Sequence, residues 1–224
     1  MTYFIKTQQI RTLIIASVFI VLLALNISSC KKDENNGTTV AMVTAINAAS
    51  STGQDAYVNN TKINSSALAY SQSTGYVRVE NADNVQFRSA GTSTVNASTA
   101  VSFAANKKYS VYYTDDKSIV YEQNDETAPA SGKARVRFIN LSQALSAKAD
   151  VGLSGGAKLA SDLAYKAASV YSEVNTATTF SLYAAGSTSV LLSVPTTIQA
   201  EKIYTIYFSG TTALTINYQV VVEN

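Results

Sequence analysis

The chain has 224 residues, with 17 Lys and Arg against 15 Asp and Glu, one cysteine, and neither histidine nor tryptophan. Without histidine a Ser-His-Asp triad and the common imidazole metal sites are excluded. A net charge of +2 is too small a basic field to attract a phosphate backbone, which argues against nucleic acid as a partner.

Residues 1–29 have the layout of a secretory signal peptide: basic Lys6 and Arg11, an apolar stretch from Leu13 to Leu25, then the small residues Ser28 and Ser29. The apolar run is shorter than the roughly 20 residues a membrane-crossing helix needs. Ile27-Ser28-Ser29-Cys30 resembles the lipobox of bacterial lipoproteins, in which the cysteine thiol takes a diacylglycerol, the preceding peptide bond is cut and the new amino terminus is acylated. The resemblance implies a membrane anchor at Cys30, stable because several chains each contribute about 0.8 kcal/mol per buried methylene. Lys31-Lys32-Asp33-Glu34 is similar to the export signal that carries some Bacteroidetes lipoproteins to the outer face of the outer membrane. The alternative is a solvated charged tether on the periplasmic side. Residues 30–39 are polar and should form a flexible, lipid-anchored tether. Once Lys6 and Arg11 leave with the leader, the mature chain is formally neutral.

The remainder, 40–224, holds few prolines and is rich in Val, Thr, Ser and Tyr, a mixture that favours strands and turns. It contains an internal repeat. Val43–Asn47 (Val-Thr-Ala-Ile-Asn) matches Val136–Asn140 (Val-Arg-Phe-Ile-Asn) at an offset of 93 residues. Asp55 then matches Asp150, Leu68-Ala69-Tyr70 matches Leu163-Ala164-Tyr165, Tyr76 matches Tyr171, Ala90-Gly91 matches Ala185-Gly186, and Lys108–Tyr112 matches Ile203–Tyr207, all at an offset of 95. This predicts two β-domains, 40–122 and 134–224, joined by a short polar linker at 123–133 that limits their relative freedom. Within the repeats the apolar period is two. In chain order it marks strands at Arg135–Phe138, around Phe180 and Leu182, from Val190 to Ile198, at Tyr204–Phe208, and from Leu214 to Val222. In the last of these Leu214, Ile216, Tyr218, Val220 and Val222 are expected to form the buried face. About seven strands per repeat with short turns favour an antiparallel sandwich. The fold class is therefore all-β, two tandem antiparallel β-sandwiches after a lipoprotein signal peptide.

Val136–Asn140, Asp150, Leu163–Tyr165, Ala185-Gly186 and Tyr204–Tyr207 together resemble the DUF4397 family. The second repeat carries the pattern best, and the first reads as a degenerate copy, with Ala45 where the second has Phe138. The resemblance implies an immunoglobulin-like or transthyretin-like sandwich, often in a bacterial lipoprotein, and no established activity.

Chemistry has few places left. Cys30 is committed to the anchor, so no thiol nucleophile remains. Paired carboxylates could still cleave glycosidic bonds, with Asp55, Glu80, Asp150, Asp162 and Glu173 as candidates. The recurrence of Asp55 and Asp150 points instead to a turn or edge hydrogen bond. Asp115, Asp116, Asp125 and Glu126, with Glu122, are weak candidates for calcium between the domains. Tyr109, Tyr113, Tyr204 and Phe208 share strand faces that should be core, whereas Tyr112 and Tyr207 lie on the opposite face and are expected to be partly exposed. With Tyr57 and Tyr121 they are the candidate contacts for a sugar or protein. The sequence thus reads as a non-catalytic, cofactor-free binding or structural protein of the outer membrane, taking a glycan or an envelope protein. An adhesin or pilus-like subunit adding strands across copies is the alternative, and a polysaccharide-active enzyme the weaker one.

Overall fold

The computed structural model describes residues 37–50 and 52–224. The leader, Cys30 and the charged run after it lie outside the described residues. Among the described residues no helix is long and apolar enough to cross a membrane.

The first repeat forms β1 (Val40–Asn47), β2 (Gln54–Val58), β3 (Thr61–Lys62), β4 (Val77–Glu80), β5 (Asn84–Ser89), β6 (Val95–Ala100), β7 (Lys108–Tyr113) and β8 (Ile119–Gln123). The second forms β9 (Lys133–Asn140), β10 (Ala149–Leu153), β11 (Lys158–Leu163), β12 (Ser172–Asn175), β13 (Phe180–Ala184), β14 (Val190–Val194), β15 (Ile203–Ser209) and β16 (Asn217–Val222). The only helix among the described residues is a single 3₁₀ turn, Gln143–Leu145. The fold is all-β, two sandwiches of two four-stranded sheets each, with eight strands per repeat where about seven were expected. The sheet orders are β3-β2-β5-β6 and β4-β1-β7-β8 in the first sandwich, and β11-β10-β13-β14 and β12-β9-β15-β16 in the second. Pairing is antiparallel except that β1 runs parallel to β7 and β9 to β15. The predicted strand from Val190 is shorter than its apolar run, ending at Val194 before Pro195, which cannot donate to a ladder.

Strand parity explains the packing. In β1 and β7, Val43, Ala45, Tyr109, Val111 and Tyr113 enter the first core with Val85 and Phe87 of β5. In β9 and β15, Val136, Phe138, Tyr204, Ile206 and Phe208 enter the second core with Phe180 and Leu182 of β13. The alternate residues of these same strands do not face water. Ile46, Tyr112 and Val120 pack against Ile139, Leu141 and Tyr207 in a third apolar cluster, formed where sheet β4-β1-β7-β8 meets sheet β12-β9-β15-β16. Both inner sheets are thus covered on both faces at their centres, so the central strands β1, β7, β9 and β15 are almost continuously buried. Residues 39–224 form one compact unit.

The union of the sandwiches is reciprocal, as expected for two copies meeting through the same face. Tyr112 and Tyr207, repeat equivalents, contact each other edge-on with ring centroids 5.4 Å apart. Tyr70 of the first sandwich shares a 2.7 Å hydrogen bond with Ser209 at the end of β15. In the equivalent loop of the second, Lys166 pairs with Asp116 just beyond β7, at 2.5 Å.

The C-terminal strand departs from the expected pattern. Leu214 is 98% exposed and precedes β16, and Val220 and Val222 are also exposed. Ile216 and Tyr218 pack only partly on the second core, while Val221 and the buried Glu223 face the first sandwich. The strand thus lacks the single buried face the alternation predicted: Ile216 and Tyr218 touch the second core, Val220 and Val222 at the sheet edge are exposed, and Val221 and Glu223 on the alternate side are roofed by the neighbouring sandwich.

Candidate functional site

The repeated aspartate has a structural role. Asp55 on β2 accepts from Gly91 N at 2.9 Å through Oδ2, while Oδ1 takes Asn64 Nδ2 and the Lys62 ammonium, each at 2.8 Å. Asp150 on β10 repeats the clasp, accepting from Gly186 N at 2.9 Å and Asp162 N at 2.8 Å and pairing with Lys158. Gly91 and Gly186 have φ of 70° and 75°, so a residue without Cβ makes the turn that offers its N–H. Burial would raise both carboxyl pKa values, but the lysines and N–H donors outweigh it and hold both below the ordinary range.

The other acidic candidates are also engaged. Glu80 pairs with Arg78, Asp162 with Lys148 at 3.7 Å, and Glu173 accepts from Ala130 N at 2.9 Å. Burial pushes the Glu122 carboxyl up, more than Arg137 lowers it. Of the calcium candidates, Asp115 accepts from the Ser50 N–H and hydroxyl, Asp116 pairs with Lys166, Asp125 with Arg135 at 2.7 Å, and Glu126 with Lys108 at 2.8 Å. Among the described residues no group of three or more acidic, His or Cys side chains could hold a metal, so these four do not form the site suggested for them.

Tyr112 and Tyr207 are not surface contacts. Both are fully buried between the sandwiches, and their hydroxyls have no hydrogen-bond partner among the described residues. Parity placed them correctly on the face away from each core; what covers that face is the other repeat. Tyr121 is 37% exposed on edge strand β8, with its ring edge-on to Phe103 at 5.7 Å. Tyr57 alone of the four stands among polar side chains on an outer sheet face.

That face is built by β2, β3 and β5. Ala56, Val58, Val85 and Phe87 point into the core, so Asp55, Tyr57, Gln86 and Arg88 point outward. Tyr57 lies opposite Gln86 and Lys62, with Asp55 opposite Arg88. The Arg88 guanidinium carbon sits 4.0 Å from the Tyr57 ring centroid across the diagonal. Asn60 Oδ1 accepts from Nη2 at 2.8 Å, and Gln86 Oε1 accepts from Nη2 at 2.7 Å and Nε at 3.1 Å. Asn60 reaches in from a tight turn in which Asn59 and Asn60 both have positive φ.

A second constellation escaped sequence reasoning. Arg137, 2% exposed, donates from Nε to Thr205 Oγ1 at 2.7 Å, from Nη1 to the Gln123 carbonyl at 2.9 Å, and from Nη2 to Asn124 Oδ1 and Glu223 Oε1. Glu223 also accepts from Tyr171 at 2.6 Å and from Thr205. In the first repeat Asn124 stands where Glu223 does, donating to Tyr76 Oη at 2.6 Å and Ser110 Oγ at 2.9 Å. Arg137 therefore ties the equivalent nodes of both repeats together. Its signal was present in the paired Tyr76 and Tyr171 and in the arginine of Val-Arg-Phe-Ile-Asn.

The model of a family described as a domain of unknown function (DUF4397) matches residues 41–148. The match spans the first repeat, the one read as degenerate, and only the start of the second. No curated protein matches the chain. Among solved structures, CBMbc (family CBM26) from Eubacterium rectale Amy13K, in complex with maltoheptaose, is similar at 10% identity and a TM-score of 0.28, covering 83% of this chain and 98% of that one. The likeness to the DUF4397 family is thus carried by residues 41–148.

Proposed function

We propose that this protein is a lipid-anchored component of the cell envelope that binds a glycan without catalysis, through the outer face around Tyr57 and Arg88. The observation that carries the reading is the stacked, hydrogen-bonded Arg88–Tyr57 pair beside Gln86, Asn60 and Lys62, an aromatic ring among polar donors and acceptors suited to a sugar. The two repeated buried carboxylates support the non-catalytic part, since both are spent on clasping turns. The anchor and the surface location rest on the sequence around Cys30. The test is binding of the full mature chain to a glycan panel, with Tyr57→Ala losing it; retention of affinity in Tyr57→Ala removes the site. A Cys30→Ala protein that stays in the membrane fraction overturns the anchor, and resistance to protease shaving on intact cells overturns surface display.

The second reading, a subunit that assembles by strand addition, is favoured by one feature. β14 and β16, edge strands on one side of the second sandwich, expose Val190, Leu191, Val220 and Val222. Heat-resistant ladders on gels support it, and a strict monomer at all concentrations refutes it.

A further inference from the structure

Four arginines fall among the described residues, and three have a carboxylate partner: Arg78 with Glu80, Arg135 with Asp125, Arg137 with Glu223. Arg88 has none. Its hydrogen bonds go to neutral amide oxygens of Asn60 and Gln86, which hold Nε and Nη2 and leave Nη1 without a partner among the described residues. The nearest acid across the strands, Asp55, is unavailable: its side chain is 3% exposed and its oxygens are taken by Lys62, Asn64 and Gly91. The face therefore carries a fixed guanidinium that no carboxylate among the described residues pairs with, and the 37% exposed Lys62 lies alongside.

Resting on the glycan reading above, we infer that the ligand of this face is an anionic glycan, a uronate-bearing polysaccharide whose carboxylate pairs with Arg88. A planar guanidinium held on an aromatic ring is prearranged for a carboxylate, so little side-chain freedom is lost on binding. The amide groups of Gln86 and Asn60 and the Lys62 ammonium border the place where the ring hydroxyls of that sugar would lie.

The second sandwich cannot repeat the site. At the positions equivalent to Tyr57 and Arg88 it has Gly152 and Tyr183, which oppose Ser181 and Asp150 across β10 and β13 as Tyr57 and Arg88 oppose Gln86 and Asp55 across β2 and β5. A Cβ at Gly152 would fall 2.7 Å from the Ala157 carbonyl oxygen, so no tyrosine fits there. One acidic sugar site per chain follows.

The test is titration calorimetry of the full mature chain with oligosaccharides of galacturonate, glucuronate and mannuronate, their methyl esters, and neutral oligomers of equal length. The expected result is one site per chain for an acidic oligomer, at least tenfold weaker binding of its ester, affinity falling with added salt, and at least tenfold weaker binding by Arg88→Gln. Arg88→Lys keeps the charge and retains an intermediate affinity, and an unchanged melting curve shows each variant folded. Equal affinity for acidic, esterified and neutral oligomers, or unchanged binding by Arg88→Gln, overturns the inference while leaving glycan binding intact. Binding to none of the oligomers overturns both.

Discussion

Breaking the ion pair between Arg137 and Glu223 should be among the costliest single changes to the joined sandwiches. Their side chains are 3% and 2% exposed, and two of the four hydrogen bonds from Arg137 cross into the first sandwich, to Gln123 and Asn124. Burial alone would lower the Arg137 pKa, yet Glu223, joined by smaller effects of Tyr112, Tyr171 and Glu122, outweighs this and the pKa is raised. Glu223→Gln keeps the shape and removes the charge, leaving a guanidinium in a site built for a pair. Breaking one partner of such a pair costs about 3–5 kcal/mol. At about 2–4 °C per kcal/mol for a chain of this size, the melting temperature should fall by about 6–20 °C. Adding Arg137→Met removes the stranded charge, so the double variant should be more stable than the sum of the single costs by at least about 1 kcal/mol. Urea denaturation of the four proteins measures this. A Glu223→Gln protein melting within about 2 °C of wild type, or strictly additive costs, would refute the reasoning.

Tyr112→Phe and Tyr207→Phe should change stability by less than about 1 kcal/mol, since neither hydroxyl has a partner to lose, whereas alanine at either position should cost about 3–5 kcal/mol; urea midpoints decide. Alkali should unfold the protein steeply. Burial raises the Tyr76 pKa to about 12 and those of Tyr112, Tyr171 and Tyr207 further. The unfolded chain releases these protons near pH 10 and the folded chain does not, so stability falls by about 1.4 kcal/mol per pH unit for each buried tyrosine above about pH 10. A flat stability profile from pH 9 to 12 contradicts this. In acid the sign is reversed. Asp116 is held below its ordinary pKa because Lys166, Thr114 and Ser118 outweigh its burial. The stability it supplies is present above about pH 4 and fades as pH falls through the depressed value. Asp116→Asn should therefore flatten the acid limb of a pH titration followed by melting, and an unchanged limb counts against the contact. Gly210→Ala should destabilise by at least about 2 kcal/mol, because φ there is +117° and a Cβ would meet the Thr215 carbonyl oxygen at 2.3 Å; near wild-type melting argues otherwise.

The sequence by itself determined the repeat, the all-β class and the core face of the central strands. These depend on short-range rules: period-two alternation puts Tyr109, Val111 and Tyr113, or Tyr204, Ile206 and Phe208, on one face. It also foresaw that the recurring Asp55 and Asp150 would bond to turns. It did not decide what lies against the other face of those strands. Alternation gives two sides and names neither, so Tyr112 and Tyr207 looked available when the second repeat covers them. For the same reason Glu223 seemed to belong to the polar side of β16, although that side is enclosed by the first sandwich. The pairing of Arg137 with Asn124 and Glu223 joins positions 13 and 86 residues away, a separation at which no local pattern operates. The Arg88–Tyr57 stack likewise depends on the cross-strand register of β2 and β5. Tertiary packing alone decided which charges were paired and which guanidinium remained free, because only folding sets the distances through which charges compete for partners.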